Sequence, residues 1–296
     1  MSYPFIIWTM QRTGGTALTN LLMEMSEYPK AEHEPFNWDK DKPRQFWPIA
    51  QAWENTGNAT ALVRSLKEVL SRNVLIKHCY ELPRSILFNS HLLTAAATMP
   101  YRHVHLLRRD ETSRLISRYI AEAEGTWFKD WASVVFEKVA NGQRNLKPLP
   151  VNKIIDHYHL CKRSVATMSQ LLVTSKVNYT DIYYEDIYTG GHDDGVRRVV
   201  ELMRFLGFSP DEIDAHRVAI GDMILNSGQN TRSVRSFVPN LNEAIRALAA
   251  AGCPPSPEWT LVPEPATPRQ GRPPGSESPG DRVPGNDGRI SPRGGV

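Results

Sequence analysis

Short apolar runs and helically spaced apolar positions alternate along the chain. Phe5-Ile6-Ile7-Trp8 is a continuous run, the polar stretch Gln11-Arg12-Thr13-Gly14-Gly15-Thr16 follows it, and apolar residues then recur at helical spacing from Ala17 to Met25. The opening therefore reads as strand, loop and helix. Leu62, Leu66, Val69 and Leu70 predict a helix over 61–72, and Asn73-Val74-Leu75-Ile76-Lys77-His78 a short strand that turns polar at its end. A helix opened by Pro83 leads to a third strand over 103–109, and Asp110 is placed to cap a helix over 111–123 that Gly125 stops. Further on, 151–174 has the spacing of a long amphipathic helix and 177–184 that of a strand ending at Glu185-Asp186. Helices are predicted over 196–206, from Ser209 onward, and over 240–251 with Asn240 as cap. The stretch 28–38 reads as loop, and 39–56, with Phe46, Trp47 and Trp53, as short helices or a lid with an aromatic inner face. Strands alternating with helices predict an α/β fold, a central parallel sheet covered on both faces as a three-layer sandwich, with ligands at the C-terminal strand ends.

The first loop carries the candidate chemistry. Gly14 and Gly15 permit a sharp turn and close backbone approach, and the helix behind them aims its unpaired N-H groups into the same space. Arg12 adds charge, and Thr13 and Thr16 add hydroxyl donors, so the loop suits a phosphate or phosphosulfate. The spacing is not Gly-x-x-x-x-Gly-Lys-Ser/Thr, which argues against an ATP or GTP site built on a loop lysine and magnesium. Alone, the loop reads equally well as a plain strand-to-helix turn. Arg109 at the third strand's end and Ser117 in the following helix form a second candidate anchor able to converge on one anion. His103 and His105 share one side of their strand and read as packing rather than metal ligands.

Composition narrows the classes. With 296 residues, 41% hydrophobic and 23% charged, the chain suits one sizeable globular core, and a net charge of +3 gives no footprint for nucleic acid or a membrane surface. Three scattered cysteines support neither a disulfide framework nor a zinc site. The N-terminus lacks signal-peptide character and no apolar run reaches about 18 residues, so a cytoplasmic location without an integral membrane segment is expected. Beyond residue 252 the character changes. Residues 253–296 hold half of the 22 prolines and no apolar periodicity, which predicts a disordered tail after a folded domain of residues 1–252.

Four motifs occur together: Arg12-Thr13-Gly14-Gly15-Thr16; His33-Glu34-Pro35-Phe36-Asn37; Leu106-Leu107-Arg108-Arg109-Asp110 with Ser117; and Tyr183-Tyr184-Glu185-Asp186 before Phe205-Leu206-Gly207. This set resembles the sulfotransferases that use 3'-phosphoadenosine 5'-phosphosulfate (PAPS), closest in pattern to the bacterial trehalose-type carbohydrate branch, over about residues 3–245. The resemblance implies a P-loop-like sulfotransferase fold and sulfuryl transfer to a hydroxyl, on a carbohydrate or glycolipid acceptor, without a metal. It implies that Arg12, Thr13, Gly14, Gly15, Thr16 and Ala17 hold the 5'-phosphosulfate, Arg109 and Ser117 the 3'-phosphate, and Tyr184 the adenine. Arg232 and Arg235 occupy the place of the family's basic C-terminal loop.

For the base that takes the acceptor's proton, Glu34 matches the bacterial branch, with His33 and Lys77 as substrate-binding neighbours. His78 is the other candidate, but the pattern here is Lys-His where cytosolic animal relatives have Lys-x-His, so on a strand its ring faces the opposite side. Tryptophans at 38, 47, 53 and 127 offer faces for stacking on a sugar. Two rival readings remain at this point: a phosphotransferase with an atypical phosphate loop, and a non-catalytic nucleotide-binding protein that uses its tail for partners.

Overall fold

The computed structural model describes residues 2–28, 30–37, 44–81, 86–127, 129–226, 231–254 and 256. Trp38 and nearly all of the segment expected to be a disordered tail lie outside them. Five strands form one sheet: β1 (Phe5–Thr9), β2 (Ala31–His33), β3 (Leu75–Cys79), β4 (Arg102–Leu107) and β5 (Tyr179–Tyr183). They pair in the order β2-β3-β1-β4-β5 and every pairing is parallel. β1 and β3 are buried at every position, which is why β1 is a nearly continuous apolar run, while the polar Lys77 and His78 of β3 are buried with hydrogen-bond partners.

The helices among the described residues are α1 (Gly15–Glu24), α2 (Trp47–Thr56), α3 (Ala59–Leu70), α4 (Ile86–Ala96), α5 (Glu111–Glu124), α6 (Lys129–Ala140), α7 (Val151–Thr174), α8 (Tyr184–Tyr188), α9 (His192–Phe205), α10 (Pro210–Ala215), α11 (Arg217–Asn226) and α12 (Leu241–Ala250), with a 3-10 turn over Thr231–Phe237. Strand alternation divides β1 between two cores. Ile6 and Trp8 pack with residues of α2, α3, α4 and α7 on one face, while Phe5 and Ile7 pack with α1, α8, α9, α10 and α11 on the other. A third cluster joins α5, α6, α12, the 3-10 turn and the start of α7. The α/β architecture with helices on both sheet faces is as the pattern predicts.

Several local expectations change. The stretch 28–38 contains β2, a half-buried edge strand whose three residues, Ala31-Glu32-His33, are too few and too polar to show a period. α6 and α11 appear where no element is expected. β4 ends at Leu107 rather than 109, so Arg108 and Arg109 stand beyond the strand. Asp110 does cap α5, accepting from Ser113 N at 2.8 Å, but Asn240 does not cap α12. Its amide instead accepts from Leu149 N (2.8 Å) and donates to Leu149 O (3.0 Å), pinning the segment before α7. No described helix is long and apolar enough to cross a membrane.

α9 is seated on α8 at Gly195, where an added Cβ would lie 2.3 Å from the Ile187 carbonyl oxygen. Gly195→Ala is expected to cost about 1–3 kcal/mol through overpacking and to lower the thermal unfolding midpoint by several degrees. An unchanged midpoint would contradict the close seating.

Candidate functional site

The sheet reverses its direction of winding at β1. From β1 the chain passes through α1 to β2 on one side, and from β3 it crosses over β1 to β4 on the other. The crevice outside the C-terminal ends of β1 and β4 is therefore the expected ligand position. Two loops meet there: residues 10–14 after β1 and 108–110 after β4.

The first loop is held by charged side chains. Arg108 donates to the Arg12 carbonyl (2.8 Å), Arg114 to the Gln11 carbonyl (3.1 Å), and Gln11 N-H donates to Glu81 Oε1 (2.7 Å). Arg114 is fully buried and tied to both carboxylate oxygens of Glu111, at 2.8 and 2.9 Å. These bonds sustain Arg12 at φ 66°, in the left-handed region that non-glycine residues seldom occupy. Gly14 follows at φ 76°, and a Cβ on it would meet the Tyr188 ring at 2.6 Å. Tyr188 also donates to the Gly14 carbonyl (3.1 Å), so this position admits only glycine. Gly15 begins α1, whose free N-H groups open into the crevice, with Thr16 exposed and Ala17 half-buried in its first turn.

Cationic groups and unused donors converge on this loop. Arg12 Nε and Nη2 donate to Ser117 Oγ (3.0 and 2.9 Å), and Thr231 Oγ1 donates to the same oxygen (3.3 Å). Burial, with help from Arg108, pulls the Arg12 guanidinium down to about 10. Arg108 lies 4.1 Å over the Tyr184 ring. Thr13 Oγ1 and Arg108 Nε are buried without a hydrogen-bond partner, a costly state in a protein interior. An anion at the loop would relieve the repulsion between Arg12 and Arg108.

A second group lies at the start of α1. Lys77 Nζ donates to Glu34 Oε1 (2.6 Å) and to Thr16 Oγ1 (3.2 Å). Glu34 sits at φ 54°, its N-H bonded to the Lys77 carbonyl (2.7 Å) and its other carboxylate oxygen to the Asn37 amide. Burial pushes the Glu34 carboxyl up, but the charge and hydrogen bond of Lys77 outweigh it and hold it below the ordinary range. His33 contacts Asn20 Oδ1 (2.8 Å), and burial with the nearby Lys77 charge lowers its imidazole to about 4, leaving it neutral at pH 7.

Other expected members are elsewhere. His78 faces the opposite side of β3 from Lys77, 4% exposed among the rings of Trp8, Phe36 and Phe88, with Nε2 at 2.7 Å from Asn89 Oδ1. Burial lowers it to about 4. Arg109 and Ser117, expected to converge on one anion, have separate partners here: Arg109 is paired with Asp186 (2.5 Å) and lies 3.9 Å over Tyr183, while Ser117 accepts from Arg12. The reason is that β4 ends two residues early and Glu185 accepts from the N-H groups of Arg109 and Asp110 (3.0 and 2.9 Å), turning that side chain outward. Arg235 is half-buried in the last turn of the 3-10 segment, and the Arg232 side chain lies outside the described residues. Trp8 donates to His103 (3.0 Å) and His105 contacts Asp181 (3.0 Å), packing roles as expected.

Sequence reasoning missed Arg108, Arg114 and Glu81. The arginines look like an ordinary basic helix face, and only their burial against the loop sets them apart. Among the described residues no cluster of three or more His, Cys, Asp or Glu is arranged to hold a metal ion. No protein-family model and no curated protein matches the chain.

The Lys77–Glu34 pair fixes a pH dependence. Glu34 is depressed, so its stabilisation is complete above its ordinary value of 4.5 and lost as pH falls through the lowered one. Lys77 is raised, so its share is complete below 10.5 and lost as pH rises through the raised value. Lys77→Met leaves a buried carboxylate unpaired and is expected to cost about 3–5 kcal/mol, with the Glu34 carboxyl moving upward in a carbon-13 NMR titration. The same Glu34 midpoint in both proteins would contradict the coupling.

Proposed function

We propose that this chain is a sulfotransferase that moves a sulfuryl group from PAPS to an acceptor hydroxyl and releases 3',5'-ADP, on a P-loop-like sulfotransferase fold. The observation that carries the reading is the pair of buried, unpartnered donors, Thr13 Oγ1 and Arg108 Nε, beside Arg12 on a glycine loop that heads a helix. Such a cradle suits a doubly charged phosphosulfate, and its charge comes from arginines rather than a loop lysine with magnesium.

Residues 12–17 would hold the 5'-phosphosulfate, joined by Arg108. Ser117, reached by Arg12 and by Thr231, would take the 3'-phosphate with Arg235, and Arg109 would join by exchanging Asp186 for phosphate. Tyr184, stacked beneath Arg108, offers an aromatic face to the adenine. The donor supplies an activated sulfuryl whose bond to the phosphate oxygen breaks as the acceptor oxygen bonds to sulfur.

The protein's own share is alignment and charge. Arg12 neutralises the leaving phosphate. Lys77, already at Thr16, is drawn toward the sulfuryl oxygens, and Glu34 then loses the cation that depresses its carboxyl. A weak base becomes a stronger one as the donor arrives, and it takes the proton of the acceptor hydroxyl. His33, neutral and next to Glu34, would bind a second hydroxyl. His78, enclosed on the other face, has no part. The three cysteines are buried and unpaired, which suits the cytoplasm proposed for this activity.

Transfer of labelled sulfate from PAPS to a panel of sugar and glycolipid acceptors tests the reading. Glu34→Gln is expected to lower kcat by about 100-fold or more, and Arg12→Ala to lower kcat more than it weakens nucleotide binding. Full turnover in Glu34→Gln would remove the base assignment.

A further inference from the structure

A cavity of about 290 Å³ lies between α5 and α7, beyond the end of β3. Its lining is tied to the anion loop through Gln11, which hydrogen-bonds two of the lining residues. Gln11 N-H donates to Glu81 Oε1 (2.7 Å) and the Gln11 side-chain oxygen accepts from Arg118 Nε (2.9 Å), and Glu81 and Arg118 both line the cavity. Two residues of the lining are thus bonded to the residue that precedes Arg12. Glu81 also lies within the field of the catalytic pair: burial pushes its carboxyl up and the Glu34 charge adds to the shift.

The lining is unlike that of a packing defect. Glu81 is 2% exposed, yet its Oε2 is buried without a partner, and so is His157 Nδ1. Buried polar atoms in that state fit a ligand that supplies hydrogen bonds. His157 is neutral, lowered to about 3 by burial and by Arg118. It packs edge-on against Tyr119, whose ring also lines the cavity beneath Arg118. The remaining charges balance: Arg118 and Lys153 against Glu81 and Asp156. A balanced set selects neither an anion nor a cation. The volume is at the small end of ligand pockets, about 300–1,000 Å³, which suits a monosaccharide-sized body and excludes an acyl chain. A larger groove, about 500 Å³ along α3 near Met99, contains no buried unpartnered polar atom among the described residues and lies away from the loop.

We propose that this cavity is the acceptor pocket and that it takes a compact neutral polyol or sugar, with Glu81 Oε2 and His157 Nδ1 bonding its hydroxyls. The assignment rests on the sulfotransfer reading and narrows the acceptor to its polar head.

Ligand-observed NMR on the full chain with glucose, galactose and myo-inositol tests it, with glucose 6-phosphate and 4-nitrophenol as charged and aromatic comparators. At least one neutral polyol should bind in preference to both comparators. Leu160→Trp, which fills the cavity from α7 without touching the loop, should abolish that binding. His157→Ala should weaken it about tenfold, the scale of one lost hydrogen bond. Both variants should retain wild-type affinity for 3',5'-ADP. No polyol binding, polyol binding that survives Leu160→Trp, or preference for either comparator would overturn the pocket. Loss of 3',5'-ADP binding in the wild-type protein, with polyol binding intact, would instead overturn the donor site and leave the pocket standing.

Discussion

Everything at the mouth of the sheet depends on the clamping of two backbone carbonyls by two arginines. Arg108 and Arg114 hold the Arg12 and Gln11 carbonyls, and Glu81 holds the Gln11 N-H. They hold Arg12 at φ 66°, in the sparsely populated left-handed region. Burying Arg114 completely is costly, and the bidentate Glu111 offsets it. Under the proposed function, the repulsion left between Arg12 and Arg108 favours capture of an anion. A preorganised cradle of this kind spends its strain before the ligand arrives, so binding need not reorganise it.

Under the proposed function, the Lys77–Glu34 pair extends the same logic to proton transfer. One cation bridges a carboxylate and the first hydroxyl of α1, so the state of the anion site and the basicity of Glu34 are linked through a single side chain. Glu81 is shifted the opposite way, upward by burial. Two carboxylates near one loop with pKa values pushed apart is a common sign of divided acid-base and binding roles. Gln11 connects the two halves, since its N-H and side-chain oxygen bond Glu81 and Arg118 of the cavity lining while its carbonyl accepts from Arg114.

Elements with strong periodicity were legible from the chain alone: β1, α1, β3, α5, α7 and the parallel alternation that sets the ligand edge. β2 was not, because three half-buried residues carry no period and their pairing to β3 is decided by tertiary contact. At the site, Gly14 announces itself by its backbone need, and the one-residue Lys77–His78 spacing correctly separates the two side chains onto opposite sheet faces. The partner of Arg109 was not legible, because arginines in sequence do not disclose which one turns inward. Arg108 takes the Arg12 carbonyl, whereas Arg109 is turned toward Asp186 by contacts 77 positions away. Glu81 and His157 carry no motif, and only an enclosed, unsatisfied atom marks each of them.

Calorimetric titration with 3',5'-ADP, beside ATP, ADP and 5'-AMP with and without magnesium, tests the central claim most directly. The clamped arginine cradle predicts binding that requires the 3'-phosphate and is indifferent to the metal. Preference for ATP with magnesium, or binding that ignores the 3'-phosphate, would contradict it.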